Sequence, residues 1–291
     1  MIEYSNPKVP DQVNVTKNSS IKDLVLLGLL AIGGLAALVF LIFFIGGVLG
    51  RLLPFEVEQW MVNQVDEELL TPATEGRSGA LQDIADQLIP HMDFPEGMTV
   101  VVRYDPDPLV NAFATVGGQI IIMGGLIDRM ESENELAMVI AHEMAHIKNR
   151  DVAAGLGGGI LLALTYSIIF GDSSAGNLFG NAGSLMQLSF SRDAERQADL
   201  DAFNAVTSLY GHANGSVDLL EILRDTGAEL PEGWADKVEL LQTHPHVENR
   251  IDALEAEAKS REVSLTGPLT PLPSVFDREP PEGRAKLKSR E

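Results

Sequence analysis

Residues 24–50 contain no charged side chain, and this uninterrupted apolar run limits how the rest of the chain can be arranged. A helix rises about 1.5 Å per residue and a bilayer core is about 30 Å thick, so roughly 20 such residues are enough to cross it. A cleaved signal peptide is the alternative, but its apolar region typically has about 7–15 residues. The length therefore predicts a transmembrane anchor over residues 24–50.

The basic residues that flank this run indicate its orientation. Lys8, Lys17 and Lys22 precede the run, whereas only Arg51 follows it closely. Because cytoplasmic flanks are enriched in Lys and Arg, we expect the N-terminus in the cytoplasm and the body outside it, on the periplasmic side.

Composition and this anchor divide the chain into four parts. They are a polar segment (1–23), the anchor (24–50), a folded body (51–261) and a flexible Pro-rich tail (262–291).

The composition restricts both partners and chemistry. The chain has 42 Asp and Glu against 21 Lys and Arg, a formal net charge of −21. This balance argues against a nucleic-acid partner, which requires a basic face to neutralise phosphates. The sequence contains no cysteine, which excludes a disulfide framework, Cys-ligated zinc and a thiol nucleophile. Any metal must therefore be held by histidine and carboxylate.

The pentapeptide HEMAH carries the decisive chemical pattern. A helix is predicted to begin at Ser132, which forms a capping box with Glu135. His142 and His146 are four residues apart on that helix, so both imidazoles project from one face and can share one Zn²⁺. Glu143 is rotated away from the ligand direction, where it can take a proton from a water molecule and pass it to a leaving amine.

A third protein ligand must come from elsewhere in the chain. Asn149 and Val152 stand where the metzincin continuation would have glycine and histidine. The next glutamate along the chain is Glu195, on a separate predicted helix, and it can approach the metal from the opposite side. Asp151 and Asp172 are rival carboxylates. We predict Glu195 as the third ligand.

A second uncharged run, residues 152–171, follows the metal-binding helix. One membrane crossing there would separate His146 from Glu195 by about 30 Å. We therefore predict a buried helix or hairpin over the site, or one that dips into the bilayer surface. Gly46 and Gly50 form a GxxxG pair that can pack a second helix, although small residues are common in such helices, and we favour the latter interpretation.

Hydrophobic periodicity and β-branched content predict the remaining elements of the body. The predicted helices and strands cover residues 80–89, 98–104, 119–123, 192–209 and 245–259.

The residues together resemble the M48 zinc peptidases, which include the Oma1, HtpX and Ste24 lines. HEMAH is followed about fifty residues later by ERQAD, then by Thr243-His244-Pro245 and by Asn249-Arg250-Ile251. The stretch from Asn111 to Ala137 also matches the family's run into HExxH. The resemblance implies an α+β fold of the minimal gluzincin type, mostly helical with a small sheet. The apolar run adds one N-terminal transmembrane helix, a departure from the HtpX line.

The resemblance also implies roles for individual residues. His142, His146 and Glu195 would hold one zinc ion per chain, with Glu143 as the general base. His244 would donate to the oxyanion of the reacting peptide. Two residues would support the ligands, namely Asp199, which could orient a ligand histidine, and Arg250, which could pair with a carboxylate. The strand at the cleft edge would pair with an extended substrate; its residues are Gln119, Ile120, Ile121, Ile122 and Met123.

The sequence thus predicts a membrane-anchored zinc metalloendopeptidase that cuts misfolded or membrane-associated proteins. Its partners would be protein or peptide substrates and the lipid bilayer. The sequence is also compatible with a homo-oligomer. One alternative is a membrane-tethered, client-binding assembly or quality-control factor with a structural zinc. Another is a metal-carrying sensor without hydrolysis, which requires a fourth protein ligand on the metal. His212 and His246 are interpreted as surface residues.

Overall fold

The structure is a computed structural model that describes residues 21–64, 67–170, 190–218, 220–221, 224, 244 and 247–277. The described α-helices are α1 (Ile21–Leu52), α2 (Phe55–Asn63), α3 (Gly76–Leu88), α4 (Gly124–Ile127), α5 (Glu133–Lys148), α6 (Asp151–Phe170), α7 (Arg192–Tyr210) and α8 (Val247–Ser260). The described strands are β1 (Val101–Asp105), β2 (Ala112–Thr115) and β3 (Gln119–Met123). Short 3-10 turns cover Glu67–Leu70, Ile89–His91, Val116–Gly118 and Ser274–Phe276. The predicted class, mostly helical with a small sheet and an N-terminal apolar helix, is confirmed.

Helix α1 is the one described helix that is long and apolar enough to cross a membrane. It has 32 residues and a mean hydropathy of 2.8 over its most apolar window. Its apolar side chains are exposed along most of its length. It is therefore not a core helix of the body, and its length agrees with the run predicted over residues 24–50.

The sheet has three strands in the order β1-β3-β2. β1 runs parallel to β3, and β2 runs antiparallel to it. The prediction that Gln119–Met123 forms the edge of the cleft is therefore wrong, because β3 is the central strand and both of its backbone edges are paired. β2 is an edge strand, and the sequence analysis did not predict it.

Helix α5 lies at the centre of the body. Ser132 caps it, since the hydroxyl accepts from the Glu135 N–H at 3.3 Å and donates to the Glu135 carboxylate at 2.8 Å. All but its first and last residues are buried, because α3, α7 and the sheet all pack against it. The side chains of α5 are thereby held rigidly, which is the condition for placing metal ligands accurately.

Helix α6 leaves the body beside α1 rather than covering the site. A Cβ on Gly50 would lie 2.1 Å from the Ala153 carbonyl oxygen, and one on Gly46 would lie 2.4 Å from that of Gly157. The two backbones are therefore in direct contact, and the order of these contacts makes the helices antiparallel. The alternative of a helix buried over the site is therefore wrong, whereas the alternative of a helix that dips into the bilayer surface stays a prediction. The Gly46–Gly50 pair does pack a second helix.

The first part of the predicted flexible tail is packed on the body. Residues 262–277, which we call the C-terminal strap, pair with α5 through the Glu133 N–H, which donates to the Thr270 carbonyl at 2.9 Å. Ala213 N–H donates to the Ser264 carbonyl at 2.8 Å. Phe276 is buried and contacts the ring of Tyr104. A boundary at residue 262 is thus too early, and residues 278–291 lie outside the described residues.

Replacing Phe276 with alanine should destabilise the body, because the strap loses its buried anchor. We expect a loss of about 3 kcal/mol in the free energy of unfolding, as for other buried aromatic side chains. The neighbouring Val275→Ala is the control, since Val275 is 38% exposed and should cost less than about 0.5 kcal/mol. Thermal unfolding of the purified protein measures both, and equal shifts would contradict a packed strap.

Candidate metal centre

Three elements bring four potential metal ligands together in the interior. Helix α5 carries His142 and His146, α7 carries Glu195, and His244 approaches from the segment before α8. One ligand atom from each residue lies within 4.8 Å of the others, and all four residues are buried. The four side chains that the sequence predicted around the metal are thus gathered at one point.

The spacing of these atoms fits a tetrahedral cation. His142 Nε2 lies 3.2 Å from His146 Nε2 and 3.5 Å from Glu195 Oε2. His146 Nε2 lies 3.6 Å from Glu195 Oε1. A zinc ion with ligands at about 2.0–2.1 Å separates them by about 3.3–3.4 Å. The residues present therefore fit the zinc that the resemblance implies, and both Nε2 atoms would face it.

Each ligand histidine turns its other ring nitrogen to a buried carboxylate. His142 Nδ1 lies 3.0 Å from Asp199 Oδ1, and His146 Nδ1 lies 3.1 Å from Asp151 Oδ2. A carboxylate on Nδ1 fixes the tautomer that leaves Nε2 free for a metal. Asp151, a rival ligand by sequence, therefore lies behind the candidate ligand His146 and outside the cluster of candidate ligands.

Arg250 balances the charge of two of these carboxylates. Its guanidinium binds both oxygens of Asp199, at 2.7 and 2.8 Å, and lies 2.8 Å from Glu195. Burial would raise the pKa of Asp199, but Arg250 outweighs it and holds that pKa below the ordinary value. Burial likewise opposes ionisation of Glu195, but the imidazoles of His244 and His142 lower its pKa. Both carboxylates therefore stay ionised.

The same charges act on the imidazoles. Burial would lower the pKa of His142, but hydrogen bonds to Asp199 and Glu195 outweigh it and raise that pKa to about 9. Burial also opposes protonation of His146, whereas Asp151 and Glu195 raise its pKa. The pocket thus favours positive charge among its carboxylates, which agrees with the donor set of a divalent cation.

Glu143 lies beside the ligands and is held by the sheet. Its Oε2 accepts a hydrogen bond of 2.8 Å from the Ala114 N–H, which points away from β3. Its other oxygen lies 3.6 Å from His244 Nε2. Strand β2 thus positions the carboxylate, a contact that the sequence analysis did not predict because β2 itself was missed.

His244 is close enough to be a fourth ligand. Its Nδ1 lies 3.3 Å from His142 Nε2 and 2.9 Å from Glu195 Oε1.

Phe190 is a residue of the site that the sequence did not indicate. It stacks on His146 with ring centroids 3.9 Å apart. A phenylalanine in a segment without helical or strand periodicity carries no signal of this role.

The remaining predicted residues lie elsewhere. Gln119–Met123 are in the central strand and not at the cleft edge. His212 is buried under the strap, with Nε2 3.1 Å from the Pro268 carbonyl, so its interpretation as a surface residue is wrong. Asp172 and His246 lie outside the described residues.

Comparison with known proteins decides the family. The model of "Peptidase family M48" matches residues 75–258, more than half of the chain. The chain belongs to peptidase family M48. This confirms the predicted resemblance, and the family supports a metalloendopeptidase.

Curated relatives point the same way. The chain is 28% identical over 253 residues to a protease HtpX homolog from Salinibacter ruber, covering 74% of this chain and 90% of the relative. It is 29% identical to an HtpX homolog from Neisseria meningitidis serogroup B, covering 72% and 84%. It is 31% identical to mitochondrial metalloendopeptidase OMA1 from Arabidopsis thaliana, covering 58% of this chain and 34% of the relative. With the apolar helix α1, these relatives support a membrane metalloprotease.

Removing the charge of Arg250 should destabilise the M48 body. Arg250→Gln leaves the carboxylates of Asp199 and Glu195 buried with less compensation, which costs about 3–5 kcal/mol when one partner of a buried pair is lost. Arg261→Gln is the control. Arg261 follows the last residue of α8 and pairs with Glu257 of that helix, but its side chain is 45% exposed. Thermal unfolding in chelator reports both variants. Equal midpoints for Arg250→Gln and the control would contradict this account.

Proposed function

We propose that this protein is a membrane-anchored zinc metalloendopeptidase that cuts misfolded or membrane-associated proteins. The observation that carries the proposal is the convergence of His142, His146 and Glu195 with Glu143 beside them. A His-His-Glu set is that of catalytic zinc sites, which keep a fourth position for water or substrate. The donors are imidazole and carboxylate without any cysteine, which suits a zinc that exchanges its fourth ligand.

Different side chains of the site are proposed to carry out different parts of peptide hydrolysis. A bound zinc would polarise the scissile carbonyl and lower the pKa of a nearby water. Glu143 takes a proton from that water and returns it to the leaving amine. The Ala114 N–H binds one carboxylate oxygen of Glu143 at 2.8 Å, which leaves the other oxygen directed toward the ligands. Asp199 and Asp151 hold the two ligand imidazoles in orientation.

His244 is proposed to contact the reacting peptide. Its ring lies between Glu143 and Glu195, at 3.6 Å from the former and 2.9 Å from the latter. In this position Nε2 can donate to the oxyanion that forms when water attacks the carbonyl. This role requires that Nδ1 is not on the metal while a substrate is bound.

An extended substrate is proposed to pair with β2 rather than with β3. β2 is an edge strand, and its Ala114 N–H faces away from β3 toward Glu143. A peptide added there would run past the general base, bound through its backbone and without reading sequence. Such binding suits unfolded segments of many proteins, which is the substrate class proposed here.

The membrane anchor is α1, with the N-terminus in the cytoplasm and the body on the periplasmic side. The lysines that precede the apolar run of residues 24–50 support this orientation. α6 has 20 residues, about 30 Å of helix, and lies antiparallel along α1, so we propose that it enters the bilayer with it. His146 and Glu195 meet at one site and so lie on the same side of the bilayer. The body therefore stays on one side.

A second candidate is supported by His244. If its Nδ1 stays on the metal, four protein ligands surround the ion, as in structural zinc sites. The protein would then bind clients as a tethered assembly or quality-control factor, or sense the metal, without hydrolysis. The two candidate functions differ in whether the fourth coordination position of the metal becomes available to water.

Glu143→Gln should abolish proteolysis and leave the metal in place, because Glu143 is not a ligand. We expect cleavage of unfolded casein to fall about 10²–10⁴-fold, the usual contribution of a general base. Zinc content of both proteins is measured by elemental analysis, and chelator should stop the wild type. Glu248→Gln, an exposed change in the first turn of α8, serves as the matched control and should cut at the wild-type rate.

A wild type that cuts casein no faster than Glu143→Gln would favour the closed metal site. His244→Ala then separates the candidates further. A catalytic donor predicts slower cleavage with unchanged zinc content, whereas a fourth structural ligand predicts faster loss of zinc to a chelator.

The proposed topology can be measured with one reporter. A phosphatase that is active only outside the cytoplasm, fused after Glu291, should be active, and the same enzyme fused before Met1 should be silent. The charge bias across α1 is the physical reason. Activity of the N-terminal fusion alone would reverse the orientation and leave the chemistry untouched.

A further inference from the structure

We infer that the membrane anchor helps to hold the metal, through a chain of contacts from Arg51 to Asp151 to the ligand His146. This inference rests on the ligand set of the proposed function but not on hydrolysis. Asp151 and Arg51 would be positioning residues, since neither would touch the ion or the substrate.

Asp151 uses its two oxygens on two different partners. Oδ2 lies 3.1 Å from His146 Nδ1, and Oδ1 lies 3.0 Å from the Arg51 guanidinium. Asp151 is 5% exposed, whereas the side chain of Arg51 is 56% exposed. A buried carboxylate between an imidazole and a guanidinium fixes the orientation of the His146 ring, with Nδ1 turned toward Asp151. His146 Nε2 is then presented as a ligand.

The position of Arg51 is set by the contact between the two apolar helices. Arg51 follows Gly50 in the last turn of α1, and Asp151 begins α6 two residues before Ala153. The backbones touch at Gly50 and Ala153 and again at Gly46 and Gly157. Any larger residue on α1 at these points must move the helices apart. A shift of α1 along or away from α6 would therefore change the hold of Arg51 on Asp151.

This arrangement makes the metal centre sensitive to the anchor. Helix α1 lies outside the body, yet its last turn is separated from a metal ligand by a single side chain. Loss of an outer carboxylate on a ligand histidine typically weakens metal binding about 10–100-fold. An ion pair with one exposed partner contributes less, about twofold to fivefold in a binding constant. The expected effects are therefore graded from Asp151 to Arg51.

The test measures zinc affinity of the full chain in detergent micelles, by competition with a chromophoric chelator. Asp151→Asn should bind zinc about 10–100-fold more weakly, and Arg51→Gln about twofold to fivefold more weakly. In the Asp151→Asn background, Arg51→Gln should add nothing, because it acts through the lost charge. The matched control is Asp201→Asn, since Asp201 pairs with Lys148 at the end of the same α5 helix but contacts no ligand; its affinity should equal the wild type.

A second pair of variants tests the helix contact itself. Gly50→Leu should separate α1 from α6 and weaken zinc binding at least as much as Arg51→Gln. Gly28→Leu is its control, because nothing lies within 4 Å of that position on α1. Thermal unfolding of the metal-free proteins shows whether any variant fails to fold. If Asp151→Asn fails to fold, Arg51→Gln still tests the inference, because the Arg51 side chain is exposed.

Several outcomes would overturn the inference. Wild-type zinc affinity in Asp151→Asn would do so, as would an effect of Arg51→Gln that is the same in both backgrounds. If the wild type binds no zinc, the inference is also wrong. If the predicted affinities are found but casein is not cut, the proposed hydrolase fails while the coupling of anchor and metal stands.

Discussion

The structure depends on concentrating charged side chains in the interior of a small body. Glu143, Glu195, Asp199 and Asp151 are all buried near one point, and isolated buried carboxylates would cost several kcal/mol each. Arg250 and the imidazoles compensate them from three different segments, namely α8, α5 and the segment before α8. Because each partner comes from another element, the charges can be satisfied only when α5, α7 and α8 are packed together. The same contacts therefore specify the fold and prepare a site for a cation.

The sheet has a smaller role than the helices in the core but a direct one in the chemistry. Its edge strand β2 supplies the Ala114 N–H that binds Glu143. Glu143, the proposed general base, is thus held by a backbone group that substitution of the Ala114 side chain cannot remove, and its orientation follows from the pairing of β2 with β3. Substrate pairing and proton transfer would then share one strand, so that a bound peptide is aligned with the base by the same backbone.

Local signals in the sequence predicted those features that depend on neighbours along the chain. The Ser132–Glu135 capping box placed the start of α5, and the spacing of His142 and His146 placed both on one face. Features that depend on distant pairing were missed. The central position of β3, the existence of β2, and the role of Asp151 behind His146 all follow from contacts across the fold. The proline content of residues 262–291 predicts a flexible tail, and no sequence pattern there indicates that Phe276 is buried against the body.

The two apolar helices extend this dependence beyond the body. In lipid, helices associate through close backbone packing rather than through the hydrophobic effect, and the contact of Gly46 and Gly50 with α6 is of that kind. Since α6 begins at Asp151, the same helix carries the contact with α1 and the carboxylate behind His146. A helix that served only as a tether would need no such contact. The anchor is therefore part of the structure that orients the metal ligands, and a change in the packing of α1 would reach the site without passing through the core.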